Sequence, residues 1–165
     1  MTDQIQEIID KLRDKGKAEK DLEGTLDFFI AEEGGNFFAF PVTYVNEAIE
    51  LDARTSIVHI PLTDPYILGV INVKGEMLPV LSLGKILGHK DSRQNFVVII
   101  EESCRVCFAF EKLVEIVSVP TSGIHPLIRF AENSNSAFLK DEFEYDNSIV
   151  RIVDVLALFQ SSWIL

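Results

Sequence analysis

The sequence predicts a mostly β fold, organised as a barrel or a pair of barrels. After residue 22 a succession of short apolar segments with strand character begins, and turn signals separate many of them. The chain has 12 phenylalanines, and β-branched residues crowd the same segments, as is typical of strands. Helical patterns are brief, so the frequent strands favour barrels over a helical bundle.

The first element is predicted to be a short amphipathic helix over residues 1–16. Its apolar positions recur at the i, i+3, i+4, i+7 spacing of one helix face, and they are Ile5, Ile8, Ile9 and Leu12. A helix this short is marginal alone, so the face packs either on its own domain or on a partner helix. A polar linker follows. We therefore divide the chain into a helix and linker, residues 1–21, and one domain, residues 22–165.

The strands follow in order, and the brief helical patterns lie between and after them. The predicted strands are residues 25–32, 36–42, 56–60, 69–73, 77–81, 96–101, 105–110, 113–119, 137–145 and 148–153. Short helices are predicted at residues 82–88 and 153–159, each beginning near a Ser or Asp that can serve as an N-cap.

The most regular pattern is a hairpin made of residues 69–73 and 77–81, with Lys74 and Gly75 at the bend. Gly75 can take the positive φ that tight hairpins require. Because Pro79 cannot donate a backbone hydrogen bond, its strand is predicted to lie at a sheet edge or to be bulged there. An exposed edge is a natural docking place for a partner.

The two faces of the first hairpin strand differ in chemistry. Ile71 and Val73 point to one face, and Asn72 and Lys74 point to the other. Interface hot spots are apolar side chains rimmed by charge. We therefore place Ile71, Val73 and Lys74 near the centre of a predicted interface.

Charge and composition narrow the classes of function. The net charge is −11, whereas nucleic acids and anionic membranes attract basic faces. No apolar run reaches the length of a transmembrane helix, and the amino terminus lacks the apolar stretch of a signal peptide. Two cysteines are too few for a disulfide framework. The sequence favours a cytoplasmic protein that binds other proteins.

The best signal for chemistry is the C-x-x-C formed by Cys104 and Cys107. A closed zinc site needs four ligands, and His59, His89 and His125 share no metal-binding spacing with the pair. Cys107 is interpreted as a small core side chain, but a metal or redox protein built on the pair stays an alternative. The sequence has no nucleophile elbow, phosphate loop or metalloprotease motif, so we expect no enzyme, cofactor or bound metal.

At "HIPLTDPYILGVINVKGEMLPVLSL" the chain resembles the CheW family of chemotaxis adaptors. The matching positions of this family's proline, glycine and hairpin pattern are Pro61, Pro65, Gly69, Val70, Ile71, Asn72, Gly75 and Pro79. "FFAFPVTYVNEAIE", "FVVIIEESCRVCFAFEKLVEIVSVP" and "FLKDEFEYDNSIVRIVDVLALF" resemble its other segments in the right order. The resemblance covers about residues 24–160.

The resemblance implies a fold of two small five-stranded SH3-like β-barrels that share a core. It also implies a non-catalytic role. CheW proteins couple the cytoplasmic tips of chemoreceptors to the CheA histidine kinase, whose regulatory domain shares the fold. Alternatives are a CheW-like scaffold of another motility pathway, such as twitching or gliding, or a plain β-barrel module.

The resemblance also implies where partners bind. Residues that match its contact segments are Val45, Glu47, Gly69, Lys74 and Gly75, and Ile71 and Val73 lie in the same hairpin. The family arginine before the hairpin glycine is Lys74 here, which keeps the charge but loses the planar fork that binds carboxylates in two places. Glu111 stands where the family has aspartate, and "SLGK" lacks the aspartate that usually precedes the short helix.

Overall fold

The computed structural model describes residues 6, 7, 9, 10, 24–90, 92–127 and 137–161. The strands in these residues are β1 (Thr25–Glu33), β2 (Asn36–Pro41), β3 (Val45–Glu50), β4 (Ile67–Val73), β5 (Glu76–Leu81), β6 (Phe96–Glu101), β7 (Arg105–Phe110), β8 (Lys112–Pro120), β9 (His125–Pro126), β10 (Leu139–Tyr145) and β11 (Ser148–Val153). The α-helices after β5 and β11 are α1 (Leu83–Ile86) and α2 (Val155–Gln160). Single 3-10 turns span Val42–Tyr44 and Thr121–Gly123.

The strands form two sheets that share one arrangement. The first has the order β8-β1-β2-β11-β10-β9 and the second the order β3-β6-β7-β5-β4. In each sheet, the second strand of one hairpin pairs in parallel with the second strand of another: β11 with β2, and β5 with β7. The two-residue strand β9 extends the first sheet beyond this five-stranded plan.

Three apolar clusters explain how the sheets fit together. One cluster lies within the first sheet and includes Phe28 and Ile30 of β1, and another lies within the second and includes Ile71 and Val97. The largest joins both sheets and both helices, and Phe29 of β1 belongs to it. Successive β1 residues therefore serve different cores, because side chains alternate across a strand. The predicted pair of barrels with a shared core is confirmed.

The tight turns of the hairpins follow from their sequences. Among the described residues, three two-residue turns have positive φ at both central positions: Gly34-Gly35, Lys74-Gly75 and Asp146-Asn147. This is the backbone of the turn type that matches the twist of antiparallel strands, and glycine, asparagine and aspartate are its usual residues. The predicted bend at Lys74-Gly75 is thus found, and Asp146-Asn147 forms the turn between the strands predicted at residues 137–145 and 148–153.

Both short helices begin at the expected caps. Ser82 Oγ accepts a hydrogen bond from the Lys85 backbone N–H over 3.2 Å, and Asp154 Oδ1 accepts one from the Ala157 N–H over 3.1 Å. These side chains satisfy amide groups that the first turn of a helix leaves without a backbone acceptor.

The amino-terminal prediction is only partly covered by the structure. Residues 6, 7, 9 and 10 are helical, and Ile9 is fully buried in the shared core. The rest of the predicted helix and the linker that follows it lie outside the described residues. The division into residues 1–21 and 22–165 stays a prediction.

The predicted strand at residues 56–60 is wrong. The segment makes one isolated bridge, in which Val58 and Val70 exchange backbone hydrogen bonds of 2.8 and 2.9 Å. His59 and Ile60 are exposed, and Pro61 follows, so the pairing is not extended. β3, in contrast, was not among the predicted strands.

The prediction for Pro79 also needs correction. β5 is an inner strand between β7 and β4, and the register shift between β4 and β5 lies at Ile67/Gly69 rather than at the proline. The parallel pairing of β5 with β7 involves only Val80 and Leu81. Pro79 precedes this pairing, so its missing N–H leaves no gap in the β5–β7 ladder.

None of the helices in the described residues is long and apolar enough to cross a membrane.

Candidate partner-binding surface

The tip of the β4–β5 hairpin contacts β3. In the strand order of the second sheet, β3 and β4 stand at opposite ends. Lys74 Nζ lies 3.5 Å from Glu47 Oε2, and the two side chains are 80% and 22% exposed. Since β3 and β4 are the terminal strands of this order, the contact shows that the sheet curls round on itself as a barrel. An ion pair this exposed contributes only about 0–1 kcal/mol to stability.

A second polar group extends this surface. Asn46 Nδ2 donates to Glu101 Oε2 over 2.7 Å, and Arg105 Nη2 donates to Asn46 Oδ1 over 3.1 Å. The Arg105 guanidinium also pairs with Glu76 at the start of β5. We call Asn46, Glu47, Lys74, Glu76, Glu101 and Arg105 the hairpin surface. It joins four strands and the β4–β5 turn through polar side chains.

Lys74 holds an unfavourable backbone conformation. Its φ is +51°, and the left-handed region costs a residue with a side chain roughly 1–2 kcal/mol. Asn72 Oδ1 accepts from the Gly75 N–H over 2.9 Å and helps to hold the turn. Because the exposed ion pair offsets little of this cost, the contribution of Lys74 to stability does not explain a lysine at this position.

Four of the seven predicted binding residues have no exposed side chain to offer. Val45 and Ile71 are 0% exposed and Val73 is 6% exposed. Ile71 and Val73 pack in the core of the second barrel, so the expectation that they are apolar anchors on the surface is corrected. The predicted alternation is present, but the apolar face of the strand is the inner one.

Gly69, the fourth buried residue, is required by a close backbone approach. Its φ is +147°, and a Cβ at this position would lie 2.1 Å from the Val58 carbonyl oxygen. The glycine thus allows residues 57–59 to lie against β4. Among the predicted binding residues, Glu47, Lys74 and Gly75 are the ones that a partner can reach.

The two cysteines of the C-x-x-C have different surroundings. Cys104 is exposed and Cys107 is buried. Burial raises the pKa of Cys107 to about 12, so its thiol stays protonated at neutral pH and is a poor metal ligand or nucleophile. Within the described residues, His, Cys, Asp and Glu side chains form no group of three or more that could hold a metal ion.

Comparison with known protein families gives a match over most of the chain. The family model described as "CheW-like domain" matches residues 26–162. The chain belongs to the CheW-like family.

Curated relatives and a solved structure extend the CheW match. The chain is 24% identical over 142 residues to "Chemotaxis protein CheW" of Helicobacter pylori, covering 82% of this chain and 84% of that protein. It is 24% identical over 144 residues to "Probable chemotaxis protein CheW" of Rhizobium etli, covering 85% and 91%. The crystal structure of the scaffolding protein TtCheW from Thermoanaerobacter tengcongensis superposes with a TM-score of 0.70 at 20% identity, covering 83% of this chain and 94% of that one.

Several residues of the hairpin surface in this CheW-like chain could not be predicted from the sequence. No sequence pattern places Asn46, Glu76, Glu101 or Arg105 in a partner-binding surface. Their pairing depends on four strands that are distant in sequence, so local patterns carry little signal for it. The CheW resemblance located β3 and the hairpin, but the structure was needed to bring Glu47 and Lys74 together.

Proposed function

We propose that this CheW-like protein is a non-catalytic cytoplasmic adaptor that couples chemoreceptor tips to a CheA-type histidine kinase. Membership of the family and the likeness to proteins named for chemotaxis support this role. The observation that carries it furthest is Lys74, an exposed cation in a costly backbone conformation at the position of the family's hairpin arginine.

The exposed part of the hairpin surface is the proposed docking site. Glu47 and Lys74 present opposite charges side by side, and Gly75 leaves open space above the turn. Apart from its chain neighbours, no atom of the described residues lies within 4 Å of a Cβ built at Gly75. Val45, Gly69, Ile71 and Val73 support this site from within the fold. Paired charges on a rim favour orientation and selectivity of binding more than raw affinity.

Lys74→Glu is expected to weaken co-sedimentation with receptor–kinase assemblies by at least about tenfold while the protein stays folded. The substitution removes the cation and places two carboxylates at the former ion pair, at a cost of about 1 kcal/mol or less in stability. The measurement is the fraction of protein bound in a sedimentation titration, together with a thermal unfolding curve.

Two further variants separate charge from folding. Lys140 is another exposed lysine, on β10 of the first sheet, and Lys140→Glu makes the same charge change there with no expected loss of binding. Lys74→Asn removes the cation but suits the left-handed turn, so stability should be kept or raised while binding falls. Unchanged sedimentation of both Lys74 variants would contradict the proposed site.

A further inference from the structure

The outer edge of β3 is covered by a side chain of the amino-terminal segment. β3 ends the strand order of the second sheet, and its strand neighbour is β6. On the other side, Gln6 Oε1 accepts from the Ala48 backbone N–H over 3.2 Å. Gln6 Nε2 donates to the Asn46 carbonyl oxygen over 3.1 Å. A side-chain amide holds a donor and an acceptor as a peptide group does, so Gln6 imitates a neighbouring strand.

A buried apolar residue accompanies this pairing. Ile9 follows Gln6 by three positions, which places both on one helix face. It is 0% exposed and belongs to the same core cluster as Val45 and Ala48 of β3. Gln6 Nε2 also lies 3.3 Å from Asp10 Oδ1, which helps to orient the amide. We call Gln6, Glu7, Ile9 and Asp10 the amino-terminal cover.

The cover lies directly beside the hairpin surface. The backbone groups that Gln6 binds belong to Asn46 and Ala48, the residues on either side of Glu47. Glu47 in turn pairs with Lys74, and Asn46 pairs with Glu101 and Arg105. A partner that packs across Glu47 and reaches the β3 edge therefore meets the cover.

We propose that a helix of the partner docks at the β3 edge beside Glu47 and that the amino-terminal cover is its displaceable intramolecular competitor. This rests on the function proposed above. The cover indicates the chemistry of that partner: a helix with an amide side chain and, three residues later, a branched aliphatic one. The described contacts of the cover with β3 and the core are two hydrogen bonds and one buried side chain, few enough for a partner to replace.

The docking of the cover is tested in the full-length chain by amide hydrogen exchange. Gln6→Ala removes both backbone bonds, and Gln6→Glu keeps the shape of the side chain but replaces its donor by a second acceptor. In Gln6→Ala the Ala48 amide should exchange at least about tenfold faster, because it loses its acceptor. In Gln6→Glu the carboxylate can still accept from Ala48, but its second oxygen repels the Asn46 carbonyl oxygen to which Gln6 donates, so the increase in exchange should be smaller. Val98 of the inner strand β6 should keep its rate. Glu7→Ala changes an exposed residue of the same segment and should leave Ala48 protected.

The competition is tested with a soluble helical fragment of a receptor cytoplasmic tip as the probe. Removing a competitor raises apparent affinity, so Gln6→Ala should bind about five- to tenfold more tightly than the wild type, and Glu7→Ala should not. Unchanged exchange at Ala48 in both Gln6 variants would overturn the docking. Faster exchange with wild-type affinity would overturn the competition alone. If neither wild type nor variant bound the fragment, the proposed function would fail, and the competition with it.

Discussion

Gly69→Ala is expected to lower the free energy of unfolding by about 3 kcal/mol or more, through backbone strain and two disrupted hydrogen bonds. An alanine Cβ at this position would lie 2.1 Å from the Val58 carbonyl oxygen, at a φ of +147°. Backbone atoms cannot move aside as a flexible side chain can. The bridge between Val58 and Val70 would therefore have to separate, which exposes the edge of β4.

The control is Gly75→Ala in the hairpin turn. Gly75 also has a positive φ, +88°, but apart from its chain neighbours no atom in the described part of the chain lies within 4 Å of a Cβ built there. It should cost only about 1–2 kcal/mol, the strain of the left-handed region. Urea denaturation of both variants measures the difference. If both variants lost the same free energy of unfolding, the close approach of residues 57–59 to β4 would not be the reason that position 69 requires glycine.

Glu33→Ala should be comparably destabilising, by about 3 kcal/mol, because three donors lose one charged acceptor. Glu33 is 5% exposed at the end of β1. Its carboxylate accepts from Ser82 Oγ over 3.0 Å, the Gly84 N–H over 2.9 Å and Ser92 Oγ over 3.1 Å. It thereby ties the first sheet to the start of α1, which follows the second sheet's β5.

Two further variants distinguish the loss of these three hydrogen bonds from the loss of a negative charge. Glu32→Ala removes the neighbouring, partly exposed carboxylate and should change the free energy of unfolding by about 0.5 kcal/mol or less. Glu33→Gln keeps an oxygen acceptor and most of the shape, so its stability should lie between those of the wild type and Glu33→Ala. If Glu33→Ala matched Glu32→Ala in chemical denaturation, the three hydrogen bonds would not link the two halves.

Some of the fold could be predicted because its signals are local. The turns at Lys74-Gly75 and Asp146-Asn147, and the caps of α1 and α2, depend on residues a few positions apart. β3 was missed as a strand because Asn46, Glu47 and Glu50 interrupt its apolar positions. Residues 56–60 gave the opposite error, since β-branched residues suggest a strand wherever they occur.

The site was harder to predict because it depends on which face of each element is buried. Alternation grouped Ile71 with Val73 but did not show that this face fills a barrel. Glu33 stands in an acidic, glycine-rich turn sequence, which usually lies in solvent, yet α1 covers it. Gln6 carries no signal of its own, since its role depends on the edge of a strand some 40 residues away.

Reconstitution of receptor, kinase and this chain tests the adaptor role most directly. Vesicles that carry chemoreceptors are mixed with a CheA-type kinase and rising amounts of the wild-type chain, and the kinase that sediments with the vesicles is measured. Our account predicts that sedimentation of the kinase rises with the chain and saturates. Kinase that stayed in the supernatant at every concentration of correctly folded chain would contradict it.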